Sequence, residues 1–186
     1  MNDQIKRLMG TDIWFNYQNF YTQISKKEHW KTFVEVGVWK GHSLSFLASL
    51  LRGREDLNIY AVDLFENTYR WQDEPRLRSQ VEVIYDVYNA VLDQSNTRDM
   101  ITDLKGLSWE MANNFEDGSV DFVFIDADHA YESVKKDIEA WLPKVKNGGY
   151  LSGHDYASHA PGVISAVNEK FSDVITTPEG VWYLEV

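Results

Sequence analysis

Cysteine is missing from all 186 residues, which excludes disulfides, thiolate catalysis and Cys-ligated metals. No apolar run is long enough to cross a bilayer. The opening Met1-Asn2-Asp3-Gln4 lacks the basic and apolar regions of a secretory signal. A cytoplasmic setting with no membrane partner is therefore expected. Positive charge is also scarce: 18 Lys and Arg stand against 29 Asp and Glu, a formal net charge of -11. No basic patch can readily dominate such a field, so nucleic acid is not an expected partner. Repeats, low-complexity segments and Pro/Gly linkers are absent too, and the length suits one domain with a full core.

Aromatic residues are plentiful, with 7 Trp, 10 Tyr and 9 Phe. They suit a well-packed core and, in addition, a stacking site for a planar ligand. Residues 2–27 read as two helical pieces broken near Gly10-Thr11-Asp12, with Thr11 or Asp12 as a cap for the second. Trp14, Tyr17, Tyr21 and Ile24 fall on one face at helical spacing. Packing is the expectation for that face, and a wall or lid over an acceptor pocket is the alternative.

Beyond this segment the pattern alternates between strand and helix. Strands are expected at 32–37, 57–63, 100–104, 120–125 and 150–153. Helices are expected at 42–52, 79–94, 108–115, 131–142 and from Pro161 to Phe171. Residues 64–78, with Pro75, read as a loop or broken helix, and Asn147-Gly148-Gly149 as the end of a connection. Two adjacent strands, 173–177 and 181–185, close the chain. The alternation predicts an α/β fold with a mostly parallel sheet and helices on both faces. The terminal pair can place one antiparallel strand beside it. Residues 1–30 are expected as a helical segment covering the site and 31–186 as a single domain.

Three stretches carry the chemistry. Asp126, Asp128 and His129 follow the apolar run 120–125, so carboxylates and an imidazole arrive together at the carboxyl end of a strand, where open α/β sheets bind ligands. His154-Asp155-Tyr156 occupies the same place after the next strand. Between the first strand and its helix lies Glu35-Val36-Gly37-Val38-Trp39-Lys40-Gly41-His42-Ser43. Its two glycines are too few for a dinucleotide fingerprint. The N–H groups of Gly41, His42 and Ser43 can still receive a carboxylate such as that of an amino acid, and Glu35 can meet an ammonium group. Asp63 closes the second strand, where an acid can hold both hydroxyls of a ribose or simply cap the next segment.

These motifs together, E-V-G-V-W-K-G-H-S, Asp63, I-D-A-D-H-A-Y-E-S-V and G-G-Y-L-S-G-H-D-Y, resemble the class I S-adenosylmethionine-dependent methyltransferases. The similarity is greatest to the small metal-dependent O-methyltransferases of sugar and catechol type, and runs from about Phe33 to the C-terminus. It implies a Rossmann-like, seven-stranded sheet whose terminal hairpin contributes an antiparallel strand. It implies that Gly37, Val38 and Gly41 flank the methionine part of the cofactor and that Asp63 holds the ribose. Leu64 and Phe65 would lie near the adenine edge, with Gly106-Leu107-Ser108 covering the base.

Methyl transfer from a sulfonium to an alcohol needs alignment of donor and acceptor and removal of the hydroxyl proton. Asp126, His154 and Asp155 are candidate ligands for a divalent cation, Mg2+ or Mn2+. The resemblance leads one to expect two acids, or an acid and Asn, in the second segment. His154 departs from that and suits Mn2+, Fe2+ or Zn2+ better than Mg2+. Asp126 can instead contact the acceptor or the cofactor directly. By resemblance, Asp128 matches the catalytic acid of sugar methyltransferases and His129 the Lys position of catechol-type enzymes. His154 as a metal-free base is a further candidate, while His159 is expected on the surface.

The expected partner is a small hydroxylated acceptor, sugar-like or catechol-like. Its site must come from residues 1–30, from 65–98 (with Tyr69, Arg70, Trp71, Arg76 and Arg78), from 156–161, or from a second copy of the chain in a homodimer. The alternatives are an NAD-dependent oxidoreductase and a non-catalytic nucleoside-binding module.

Overall fold

A computed structural model describes residues 2–11, 13–66, 80 and 82–186. In chain order the elements are α1 (Asp3–Met9), α2 (Gln18–Ile24), β1 (Thr32–Val36), α3 (His42–Leu51), β2 (Asn58–Asp63), α4 (Ile84–Gln94) and β3 (Ile101–Lys105). There follow α5 (Ser108–Met111), β4 (Val120–Ile125), α6 (Tyr131–Trp141), β5 (Val145–Gly153), α7 (Pro161–Lys170), β6 (Ile175–Thr176) and β7 (Trp182–Glu185).

The strands form one seven-stranded sheet in the order β3-β2-β1-β4-β5-β7-β6. The first five are mutually parallel, and β7 runs antiparallel to both β5 and β6. This is the expected Rossmann-like methyltransferase architecture. Strand order reverses between β1 and β4, so their carboxyl ends form the switch-point crevice where such sheets bind ligands.

Strand period dictates how the two faces fill. All six residues of β4 are buried, because helices cover both sides of the sheet. Phe122 and Phe124 point into an aromatic layer with Phe33, Tyr17, Phe20 and Tyr21. Val123 and Ile125 point the other way, onto Val134, Ile138 and Trp141 of α6 and Val163 and Val167 of α7. Phe122 and Phe124 are at most 1% exposed. Truncation of either to Ala should cost about 3–5 kcal/mol through lost burial and cavity formation.

Several local expectations are corrected. The second N-terminal helix begins only at Gln18, its N-cap is Tyr17 without a side-chain cap bond, and Thr11 instead donates back to Leu8 O. Asp12 lies outside the described residues. Trp14 therefore precedes the helix and is 48% exposed, stacked on Trp39, while Tyr17, Tyr21 and Ile24 are buried. Asn147-Gly148-Gly149 belongs to β5 rather than to a connection. A register shift bulges it out between the Val120–Val145 and Phe122–Tyr150 pairs. β6 has two residues rather than five, and both are exposed at the sheet edge with nothing to bury. The 79–94 helix is seen as α4 from Ile84. The loop expectation at 64–78 and the acceptor residues Tyr69, Arg70, Trp71, Arg76 and Arg78 fall largely or wholly outside the described residues.

Candidate active site

The loop after β1 is shaped by its neighbours. Gly37 has φ +82°, and a Cβ there would lie 2.3 Å from Asp126 O and 2.6 Å from Ala127 Cα. Only glycine lets the chain leaving β4 run this close, with Asp126 N donating to Val36 O at 2.7 Å. Asp63 secures the same loop. Its Oδ2 accepts from Val38 N (2.9 Å) and Trp39 N (3.2 Å), and its Oδ1 from Phe65 N (2.9 Å). Burial pushes its carboxyl above the ordinary value, against those backbone donors. Lys40 is 1% exposed and donates to Leu8 O and Thr11 O at 2.9 and 2.6 Å, which ties the end of α1 to the loop. His42 Nε2 meets Met9 O at 2.9 Å, and burial lowers the pKa of its ring.

Under the loop, Glu35 is buried and accepts from Tyr21 Oη at 2.7 Å and from Ser43 Oγ. Burial pushes its carboxyl up to about 8, against both hydroxyl donors. The acid is thus uncharged over much of the neutral range.

The acidic segments meet as expected from sequence. Ligand atoms of Asp126, His154 and Asp155 all lie within 4.8 Å of one another. His154 Nε2 lies 2.9 Å from Glu179 O, and a carbonyl only accepts, so Nε2 carries a proton. Its Nδ1 then faces Asp155 Oδ1 at 3.5 Å and Asp126 Oδ1 at 3.9 Å. A bare lone pair would repel both carboxylates, so a proton or a cation belongs between these atoms. Burial lowers the imidazole pKa, yet the two carboxylates outweigh it and the net shift is upward. Asp126 is pushed up to about 6 by burial, opposed by His154 and by the Tyr17 hydroxyl, which donates to its Oδ2 at 3.0 Å.

Asp155 holds a left-handed φ of +57°. Its Oδ2 pairs with His129 Nε2 at 2.8 Å, and its Oδ1 with His159 Nε2 at 2.9 Å. Burial opposes its ionisation, but the three imidazoles prevail and hold the carboxyl far below the ordinary range. His159, expected on the surface, is 66% exposed and nonetheless reaches the cluster through its tip.

The glycine loop, Asp63 and the cluster of Asp126, His129, His154, Asp155 and His159 line a cleft of about 840 Å3 at the carboxyl ends of β1, β2 and β4. Of the residues singled out from sequence, Gly37, Val38, His42, Ser43, Asp63, Leu64, Gly106, Leu107, Ser108, Asp126, Asp128, His129, His154 and Asp155 all line it. Three do not. Glu35 lies beneath Ser43, Gly41 faces Tyr88 (2.7 Å from a would-be Cβ), and Phe65 packs on Tyr85 and Tyr88. Asp128 Oδ2 accepts from Ser133 Oγ at 2.7 Å, which braces the start of α6. Sequence reasoning missed Trp39, Lys40, Trp109, Ser133 and Asp137 as cleft residues. Asp137 had a legible signal, an acid on the same helical face as Val134, Ile138 and Trp141. Tyr17, read as packing, both packs and bonds Asp126.

A family model described as a methyltransferase domain matches residues 34–156, from β1 to the turn after β5. The chain belongs to this family, the class I S-adenosylmethionine-dependent methyltransferases. An uncharacterized protein of Acanthamoeba polyphaga mimivirus is 27% identical over 150 residues, which is 77% of this chain. The chain spans 60% of that relative's length. The solved O-methyltransferase NovP matches with a TM-score of 0.72 at 20% identity, covering 90% of this chain and 78% of its own. An O-methyltransferase from Bacillus cereus, solved with S-adenosylhomocysteine, matches at 0.65 and 12% identity, covering 98% and 89%. At such identities the likeness shows the methyltransferase fold alone. No helix among the described residues is long and apolar enough to cross a membrane. Family membership does not favour the oxidoreductase alternative.

Proposed function

We propose that this methyltransferase-family chain transfers the methyl group of S-adenosylmethionine to a hydroxyl of a small molecule, with a divalent cation assisting. The observation that carries the reading is the meeting of Asp126, His154 Nδ1 and Asp155 on the wall of the cleft that the Gly37–Ser43 loop and Asp63 also line. The structurally similar proteins named as O-methyltransferases support the choice of oxygen as acceptor.

The residues fit the cofactor. Gly37 keeps the cleft floor thin, and the N–H groups at the start of α3 can receive a carboxylate. Asp63 fixes the loop through Val38 and Trp39 and faces the cleft where a ribose would lie. They also fit a cation, since two carboxylates and an imidazole with a fixed tautomer converge on one point. This donor set suits Mn2+ better than Mg2+. A cation bound there lowers the pKa of an acceptor hydroxyl. Tyr17 holds Asp126 in place, Asp155 orients His129, and the His129 imidazole takes the hydroxyl proton. Tyr17, Trp14 and Trp39 wall the cleft and limit water around the transferring methyl.

One observation favours a second, metal-free reading. Both Asp155 oxygens are already paired with imidazoles, His129 on one and His159 on the other. The pair His129–Asp155 would then remove the proton unaided.

Calorimetry with S-adenosylhomocysteine and with NADH tests the cofactor reading. S-adenosylhomocysteine should bind one per chain, and Asp63→Asn should weaken it by about tenfold through a loosened loop and lost charge-assisted bonds. Tight NADH binding with no response to S-adenosylhomocysteine would overturn the proposal.

A further inference from the structure

His159 reaches the acid cluster but has no part in the chemistry described above. Its side chain is 66% exposed, yet its Nε2 lies 2.9 Å from Asp155 Oδ1. The backbone puts it there. Asp155 takes a left-handed φ of +57°, and Ala157 N donates back to Asp155 O at 2.7 Å, so the chain folds tightly after β5. Ala160 N then donates to Ala157 O at 2.9 Å, and Pro161 starts α7. Residue 159 is thereby turned back over Asp155. The far side of the loop is fixed as well. A Cβ on Gly162 would lie 2.3 Å from His129 O and 2.7 Å from Tyr131 N, so α7 begins hard against the segment that carries His129. A pair with an exposed partner contributes little to stability, so stability does not account for a loop that returns this ring to Asp155.

The two oxygens of Asp155 differ in what lies beside them. Oδ2 meets His129 alone. Oδ1 meets His159 and also faces His154 Nδ1 at 3.5 Å, and Nδ1 in turn faces Asp126 Oδ1 at 3.9 Å. His159 Nε2 therefore adds a fourth donor atom to Asp126 Oδ1, His154 Nδ1 and Asp155 Oδ1. Atoms bound to one cation at about 2.0–2.2 Å stand about 3.0–3.4 Å apart as neighbours and about 4.2 Å apart when opposite. The separations of 2.9, 3.5 and 3.9 Å run over much the same interval. Asp126, His154 and Asp155 already have their ligand atoms within 4.8 Å of one another, and His159 stands just outside that group. An exposed ring on a fixed loop joins it by turning about its own side-chain bonds. An imidazole nitrogen donates to a carboxylate in one tautomer and offers a lone pair beside it in the other.

We propose that His159 Nε2 is a fourth ligand of the cation, completing a set of two carboxylates and two imidazoles. The inference rests on the cation-assisted reading above and deepens it by naming the class of ion. Two imidazoles favour a transition-metal ion such as Mn2+, Fe2+ or Zn2+ over Mg2+, which prefers oxygen ligands and retained waters. The contact between His159 and Asp155 then opens into two adjacent ligands of one ion and no longer competes with it.

The test is pulsed EPR and calorimetry of the full chain with Mn2+, on the wild type, His159→Ala and His159→Gln. The wild type should show hyperfine coupling to two imidazole nitrogens, from His154 and His159, and each variant should show one. Mn2+ affinity should fall by about tenfold or more in both variants, while Mg2+ affinity changes by less than about threefold. His159→Gln keeps a hydrogen-bond donor for Asp155 and lacks the ring nitrogen. A residue that only orients Asp155 would leave the number of couplings unchanged and the Gln variant close to wild type. A single nitrogen coupling in the wild type, or Mn2+ affinity unchanged in the variants, overturns the role of His159 and leaves the three-residue cation site standing. Failure of the wild type to bind Mn2+ overturns both.

Discussion

Tyr17 Oη donates to Asp126 Oδ2 at 3.0 Å, across 109 positions of sequence. The bond fastens the N-terminal segment to the acid cluster, and the Tyr17 ring lies 4.7 Å from that of His154. Tyr17→Phe keeps the packing and removes only the donor. A hydrogen bond to a charged group contributes about 1.5–3 kcal/mol. We expect kcat/KM to fall by about tenfold or more, with affinity for S-adenosylhomocysteine changed less than about twofold. Equal losses in both would place Tyr17 in the cofactor site instead.

Glu35 makes stability depend on pH. Its folded carboxyl titrates at about 8 because it is buried, against 4.5 ordinarily. The folded state therefore binds more protons between these values. Its contribution is complete below pH 4.5 and is lost as pH rises through 8. Glu35→Gln should flatten this fall, and unfolding midpoints at pH 5 and pH 8.5 should converge relative to the wild type. A wild-type midpoint that rises over that interval, with no change in slope in the variant, would show that Glu35 is ionised in the fold.

Gly37→Ala puts a methyl 2.3 Å from Asp126 O, at φ +82°. The left-handed backbone alone costs an L-residue about 1–2 kcal/mol, and the clash is with backbone that cannot swing away. Denaturant unfolding should show a loss exceeding about 3 kcal/mol. A loss under about 1 kcal/mol would mean that the β1 and β4 ends are not packed this way.

The cation reading predicts that chelation abolishes turnover and that Mn2+ restores it better than Mg2+, because His154 supplies one of the ligands. His154→Ala should reduce Mn2+ affinity by about tenfold or more, as loss of a ligand does, while binding of S-adenosylhomocysteine persists. Full turnover in EDTA would leave the His129–Asp155 pair as the whole proton-removing device.

The sheet was legible in the sequence because period and punctuation agreed. Apolar runs at 32–37, 57–63 and 120–125 are bounded by charged or glycine-containing turns, and each became a strand. Strand ends then located Asp63, Asp126 and Asp155 without knowledge of side-chain positions. Legibility failed where tertiary contacts override spacing. Trp14 sits at helical distance from Tyr17 and Tyr21, yet it stacks on Trp39 outside any helix, a contact that sequence spacing cannot contain. Glycine was misleading at 147–149, where it allows a bulge within β5 rather than ending a connection. Neither Glu35, within β1, nor Gly41, in the loop after it, lines the cleft, because the strand pleat and two or three residues of turn decide which side chains reach it, and spacing alone does not.

The central claim is a methyl transfer to oxygen at the junction of the glycine loop with Asp126, His154 and Asp155. Its most direct test is incubation with methyl-labelled S-adenosylmethionine and Mn2+ over a panel of sugars, polyols and catechols, with product analysis for an O-methyl group. We expect labelled O-methyl product from the wild type and a loss of about a hundredfold or more in Asp126→Asn, with cofactor binding retained. Intact binding of S-adenosylhomocysteine, with no label transferred to any hydroxyl, would contradict the account and make the cleft a nucleoside-binding site without turnover.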